Sequence, residues 1–244
     1  MSTKTAPRGR PEIEYPDSDG QPMAENTLQF QWIVTIEGGI HALFKDHPMV
    51  FVAGDLFWYP VEGEPGIRTA PDTLVVFGRP KGHRGSYRQW EEGNIAPQVV
   101  FEIRSPGNRF GEMLHKFQFY ERHGVEEYYL YDPDFNELEG WIRNQQRLQP
   151  IPVINGWISP RLGIRFALES NTLVIYRSDG RKFATYLELE QERTSAVKEA
   201  ESVMSKVEQE RDLRVAAESQ VEQQRRECER LAAKLRELGV DPGS

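Results

Sequence analysis

Two short apolar runs constrain this chain more than anything else in it, because each hides an acid. The first is Pro71-Asp72-Thr73-Leu74-Val75-Val76-Phe77; the second is Val99-Val100-Phe101-Glu102-Ile103-Arg104. Both have the length and β-branched content of buried strands. A charged carboxylate there is costly unless something compensates it, and a bound cation is a common compensation. On neighbouring strands, Asp72 and Glu102 could share a divalent metal, the arrangement that phosphodiester hydrolysis uses. A plainer reading stays open: Asp72 satisfied in a turn after Pro71, and Glu102 paired with Arg104 or Arg109.

The chain around these runs divides near Tyr186. Residues 1–19 are polar and proline-containing, with no hydrophobic signal segment, and read as a disordered arm. Residues 20–187 carry the aromatics, glycines and prolines of a globular α/β domain. Residues 188–238 contain no Gly, Pro, Phe, Tyr or Trp. That composition predicts one long helix over 188–239, stopped by Gly239 and Pro242, with 240–244 as a disordered end. The best heptad frame runs through Val197, Ala200, Met204, Val207, Arg211, Arg214, Glu218, Val221, Arg225, Cys228, Ala232 and Leu235. Eight of these twelve are apolar, but the middle is broken by charge. Two readings remain: a coiled coil that self-associates, or a solvated single helix held by charge pairs.

Within the globular part, helices are predicted over 26–44 and 109–123. Strands are predicted over 49–59, 73–77, 98–104, 127–132, 137–143, 148–153, 164–168, 172–176 and 183–186. The result is a mixed sheet flanked by helices. In the second helix Asn108 is a candidate N-cap. Phe110, Met113, Leu114, Phe117 and Tyr120 share one face, which should pack on the sheet. Lys116 lies on the border of that stripe, as does Arg109. Lys116 could reach over the sheet edge toward the carboxylates, or pair on the surface with Glu112 in the favourable i, i+4 order; geometry alone favours the surface pair.

Ala70-Pro71-Asp72, then Val99-Val100-Phe101-Glu102-Ile103-Arg104-Ser105-Pro106, then Lys116-Phe117-Gln118-Phe119-Tyr120, then Gly124-Val125-Glu126-Glu127-Tyr128-Tyr129-Leu130-Tyr131-Asp132-Pro133 follow one another in an order that resembles the Uma2 family of restriction-endonuclease-like proteins, assigned to the PD-(D/E)xK nuclease superfamily. The resemblance covers about residues 20–185. It implies a restriction-endonuclease-like α/β core and a Mg²⁺-dependent phosphodiesterase site, with Mn²⁺ as a substitute. Asp72 matches the aspartate of the PD element and Glu102 the acid of the (D/E)xK element; both would be metal ligands. The lysine of that element would fall at 104, where this chain has Arg104. Lys116 matches a lysine displaced to the following helix, as in other Uma2-like sequences. Glu37 is the candidate for an additional acid on the first helix, with Glu25 and Asp55 competing. Arg104 could hold a phosphate but stays protonated and cannot serve as a base.

The chain is acidic, with 38 Asp+Glu against 30 Lys+Arg, which argues against a nucleic-acid surface spread over the whole molecule. One stretch is locally basic: Arg79, Lys81, Arg84 and Arg88 lie in a loop with His83, Tyr87 and Trp90. With Arg104 and Arg109 these are the candidate DNA contacts. The single cysteine, Cys228, leaves no intrachain disulfide and no cysteine metal cluster, and fits a reducing cytoplasm. No stretch reaches the roughly 18 apolar residues of a membrane span. The expected function is a Mg²⁺-dependent endonuclease acting on DNA, able to form homo-oligomers through its C-terminal helix. The competing class is an inactive nuclease-like scaffold working through that helix.

Overall fold

The computed structural model describes residues 13–18, 20, 24–107 and 110–237. Asn108, Arg109, Gly239, Pro242, the 240–244 end and most of the N-terminal arm lie outside the described residues.

Helix α1 (Thr27–Leu43) begins where the Asn26 side chain accepts the Gln29 N–H at 2.8 Å, satisfying a backbone donor that the first turn leaves free. Ile33, Ile36 and Ile40, three and four apart, form its buried stripe. Strands β1 (Val50–Ala53), β2 (Trp58–Tyr59), β3 (Thr73–Phe77), β4 (Tyr87–Arg88) and β5 (Val99–Ile103) follow. Then come α2 (Phe110–His123), β6 (Glu127–Asp132), β7 (Glu137–Asn144), β8 (Arg147–Pro150), β9 (Arg165–Leu168), β10 (Leu173–Tyr176) and α3 (Tyr186–Glu237).

Six strands form one mixed sheet in the order β1-β3-β5-β6-β7-β8. β5 and β6 run parallel because α2 carries the chain back between them, as a parallel pair requires. The other neighbours in this sheet are antiparallel. β9–β10 and β2–β4 are separate two-stranded pairs.

Side chains alternate between two faces of the sheet. Val75, Val99, Phe101, Ile103 and Tyr129 pack with α1, β9 and β10. Leu74, Val76, Val100, Tyr128 and Leu130 pack with Met113 and Tyr120 of α2. The α2-facing stripe differs from the expected one. Leu114 is 43% exposed, and Lys116 takes its place over the sheet with its side chain only 20% exposed. Hydrophobicity put the stripe a step off because a lysine occupies one of the buried positions.

Three further differences have local causes. The stretch from 49 to 59 is split by a turn in which Asp55 takes a left-handed conformation (φ 47°). The strand expected over 183–186 is a single bridge at Lys182 opposite Tyr176, and Tyr186 already begins α3. β4 and the following 3-10 turn (Gln89–Glu92) had no alternation long enough to announce them. Residues 15 and 16, assigned by composition to the arm, are tied to the domain: the Tyr15 hydroxyl accepts the Gly63 N–H at 2.6 Å, and the Pro16 carbonyl accepts the Tyr59 hydroxyl at 2.5 Å.

The chain divides into two compact units, 1–186 and 187–244. α3 supplies most of the second. Its 52 residues correspond to about 78 Å at 1.5 Å per residue. None is buried. Pairs such as Arg214–Glu218 at 2.9 Å and Arg225–Glu229 at 3.1 Å lie along it at i, i+4.

Candidate active site

Thr73 of β3 pairs with Phe101 of β5, Leu74 with Val100 and Val75 with Val99. One step further along that antiparallel register, Asp72 stands opposite Glu102. Both share the parity of Leu74 and Val100 and so point to the α2 side of the sheet. Both are buried, Asp72 at 7% exposure and Glu102 at 1%.

Each carboxylate is held by named donors. The Ile103 N–H reaches Asp72 Oδ2 at 2.6 Å, and the Ile103 carbonyl accepts the buried Gln29 amide at 3.1 Å. Residue 103 is thereby fixed from both sides, and Asp72 with it. Glu102 Oε2 accepts the Lys116 ammonium at 2.7 Å, and Oε1 accepts the Tyr120 hydroxyl in a very short bond. Lys116 and Tyr120 are one helical turn apart on α2, so one face of one helix serves both oxygens. Lys116 therefore pairs with Glu102 rather than with Glu112, which overturns the surface-pair reading. Burial decides this: a lysine aimed at the sheet needs a countercharge there, and Glu102 is that countercharge.

Two buried acids facing one ammonium leave an excess of negative charge. Its consequence falls on Asp72, whose carboxyl is pushed well above the usual carboxylate range by burial and then by the Glu102 charge, only partly relieved by Lys116. Burial alone would lower the Lys116 pKa, but Glu102 and Asp72 more than offset it, and the net shift is upward. Lys116 is thus an ammonium at neutral pH. Burial and Glu102 likewise push the Tyr120 phenol well up, so it acts as a donor. Tyr128, also influenced by both acids, keeps its proton too. Its buried hydroxyl has no hydrogen-bond partner among the described residues.

Among the described residues, the other predicted ones make no bond to the Asp72, Glu102 or Lys116 side chains. Arg104 turns to Asp132 at 3.4 Å and Glu139 at 3.8 Å, not to Glu102. Glu37 pairs with His41 at 3.5 Å on α1, the helix on the opposite face of the sheet. Asp55 contributes to the charge around Asp72, and its N–H donates to the Pro71 carbonyl at 3.1 Å. Glu25 accepts the Ser105 hydroxyl in a very short bond beside the end of β5.

The basic loop is largely neutralised from within. Arg84 makes a bond of 2.5 Å and another of 3.2 Å to Glu92 and lies over the Phe51 ring. Arg79 is 3.9 Å from Glu92, and Arg88 is 3.4 Å from Glu91. Lys81 caps α1 by donating to the Phe44 and Lys45 carbonyls. The compensating acids follow the loop directly in sequence. Tyr120 is the site residue that sequence reasoning missed as a polar group. Its signal is the i+4 spacing from Lys116.

Residues 10–171 match the family Uma2, described as putative restriction endonuclease. The chain belongs to the Uma2 family. A crystal structure of a putative nuclease belonging to DUF820 from Anabaena variabilis ATCC 29413 is similar at 18% identity, covering 65% of this chain and 87% of that one, with a TM-score of 0.42. That likeness is too loose to inform the site. No curated protein matches the sequence. In this Uma2 chain, then, the side-chain geometry itself must carry the chemistry. The donors present suit a hard divalent cation: two carboxylates, oxygen only, each with lone pairs to spare. Among the described residues no group of three or more metal-ligating side chains gathers. The Tyr128 hydroxyl, on which both acids act, is a further buried polar atom without a partner among the described residues.

A pH dependence follows. Because folding raises the Asp72 pKa, the folded metal-free protein binds the more protons. Stability should fall as pH rises from about 4, the ordinary aspartate value, toward the raised one. Asp72→Asn removes that titration while keeping an acceptor for Ile103. Its stability relative to the parent should therefore rise across that window and then level off. Urea unfolding in EDTA from about pH 4.5 to 8.5 measures it; a flat difference would contradict the raised pKa.

Proposed function

We propose that this protein is a metal-dependent endonuclease that hydrolyses phosphodiester bonds of DNA. The observation that supports this best is the buried Asp72–Glu102–Lys116 cluster on one face of the sheet. Membership in a family described as putative restriction endonuclease agrees with it.

Asp72 and Glu102 would hold Mg²⁺ or Mn²⁺. When bound, such an ion supplies Lewis acidity at the phosphate and a lowered pKa for water. The chain's own groups do the rest. Ile103 and Tyr120 fix the two carboxylates in place before substrate arrives, so little reorganisation is needed. Lys116, as an ammonium, draws in a phosphate oxygen and stabilises the charge that grows on it. In that state it cannot take a proton. Arg104, held by Asp132 and Glu139, shapes the outer edge of the site without reaching the acid pair.

Purified protein with Mg²⁺ or Mn²⁺ should cleave DNA. Asp72→Ala and Glu102→Ala should abolish cleavage, and Lys116→Ala should lower kcat by about 100–1,000-fold, with Lys116→Arg restoring part of it. Each variant should keep the parent's circular dichroism. Undiminished cleavage in Asp72→Ala would remove the acid pair from the chemistry.

A second role rests on α3. Val197, Met204, Val207 and Leu235 of the apolar frame are 50%, 72%, 60% and 40% exposed, which is more apolar surface than a solvated helix needs. These side chains suit self-association, with Arg211, Arg214 and Glu218 making it weak and salt-sensitive. Sedimentation of the full chain should show a larger species than a truncation ending at residue 187; identical monomers would rule out this role.

A further inference from the structure

Next to the acid pair lies a groove of about 600 Å³ between residues 68–69 and the outer side of α2. Arg68, Thr69, Gly111, Glu112, Lys116 and Phe119 line it, with His115 at its side. The groove and the acid pair share a wall. Lys116 borders the groove and bonds Glu102. The Thr69 hydroxyl lies against the Tyr120 phenol, which itself bonds Glu102.

We propose, building on the nuclease reading, that this groove seats one strand of the nucleic acid, with Arg68 holding the phosphate next to the one at Lys116. Three observations carry this. First, Arg68 makes no ion pair among the described residues. Its guanidinium rests on the Phe57 ring, 4.9 Å from the centroid, spends one N–H on the Pro65 carbonyl at 3.1 Å, and hydrogen-bonds the Tyr59 hydroxyl. Of its five donors most remain for a ligand, whereas Arg79, Arg84 and Arg88 of the basic loop face Glu91 and Glu92. Second, the size suits a nucleotide unit, since ligand sites of about 300–1,000 Å³ take molecules of that scale. Third, the half-buried Phe119 ring supplies an apolar wall of the groove. An aromatic beside a cationic track is how proteins hold single strands without reading their sequence. Glu112, exposed and one helical turn before Lys116, is the acid in the groove lining.

The test is binding of a fluorescein-labelled single-stranded DNA oligonucleotide to full-length protein carrying Asp72→Asn, followed by anisotropy across a salt series in EDTA. Adding Arg68→Gln, which removes the charge and keeps a polar side chain, should weaken binding by about fivefold. It should also reduce the slope of log affinity against log salt by about one. Arg68→Lys should recover most of both, and Arg88→Gln should change neither. Parent-like affinity and slope in Arg68→Gln overturn the groove, and a loss confined to Arg88→Gln moves the strand to the basic loop. The wild-type chain, assayed alongside, separates the two levels of the argument. Cleavage without any effect of Arg68 refutes the groove alone; neither binding nor cleavage refutes the nuclease reading and the groove with it.

Discussion

Two carboxylates and one ammonium buried side by side dominate the energetics of this domain. Sequestering Asp72 and Glu102 on the α2 face of the sheet is unfavourable unless their charge is met. The fold meets it in part. Lys116 and Tyr120 come down from α2 onto Glu102, and the β5 backbone bonds Asp72. These contacts set the rotation of α2 about its axis: Lys116 faces the sheet and Leu114, the better hydrophobe, faces water. A helix oriented by hydrophobicity alone would turn Leu114 inward. One negative charge in excess remains, visible in the raised Asp72 carboxyl. Retaining such an imbalance costs stability, and in proteins imbalances of this kind cluster where a ligand or a reaction completes them.

The core strands were legible because their apolar runs are strong and bounded. β3 and β6 coincide with the predicted limits, and β5 with them to within a residue at each end. The predicted limits of the first helix, 26 and 44, are the residues that cap α1, Asn26 and Phe44. Legibility failed where structure depends on partners distant in sequence. β4 is two residues long and exists because Tyr87 and Arg88 pair with Trp58 and Tyr59; no local period encodes that. The expected final strand reduces to a bridge, because Tyr186 has stronger local support as the start of a 52-residue helix.

The site shows the same division. Asp72 and Glu102 could be named from sequence because acids in apolar runs are conspicuous. The direction of Lys116 could not, since its i, i+4 neighbour Glu112 offered an equally good local partner and only the tertiary position of Glu102 decides between them. The basic loop misled for a related reason. Its cations were counted without Glu91 and Glu92, which follow it directly in the chain and fold back on it. Net charge over a short stretch says little about a binding surface when the compensating acids stand just outside it. Arg68, isolated in the sequence, meets no acid among the described residues and keeps donors beyond those it gives to Pro65 and Tyr59.

The central claim is that Asp72 and Glu102 form one divalent-cation site, and Mn²⁺ titration of the full-length protein, followed by calorimetry or by loss of the free-ion electron spin resonance signal, tests it most directly. The account predicts a single class of site, tighter at higher pH because cation binding displaces the Asp72 proton. It should be lost in Asp72→Asn and in Glu102→Gln while both variants remain folded. Mn²⁺ binding unchanged in both variants, or no binding by the parent, would contradict it.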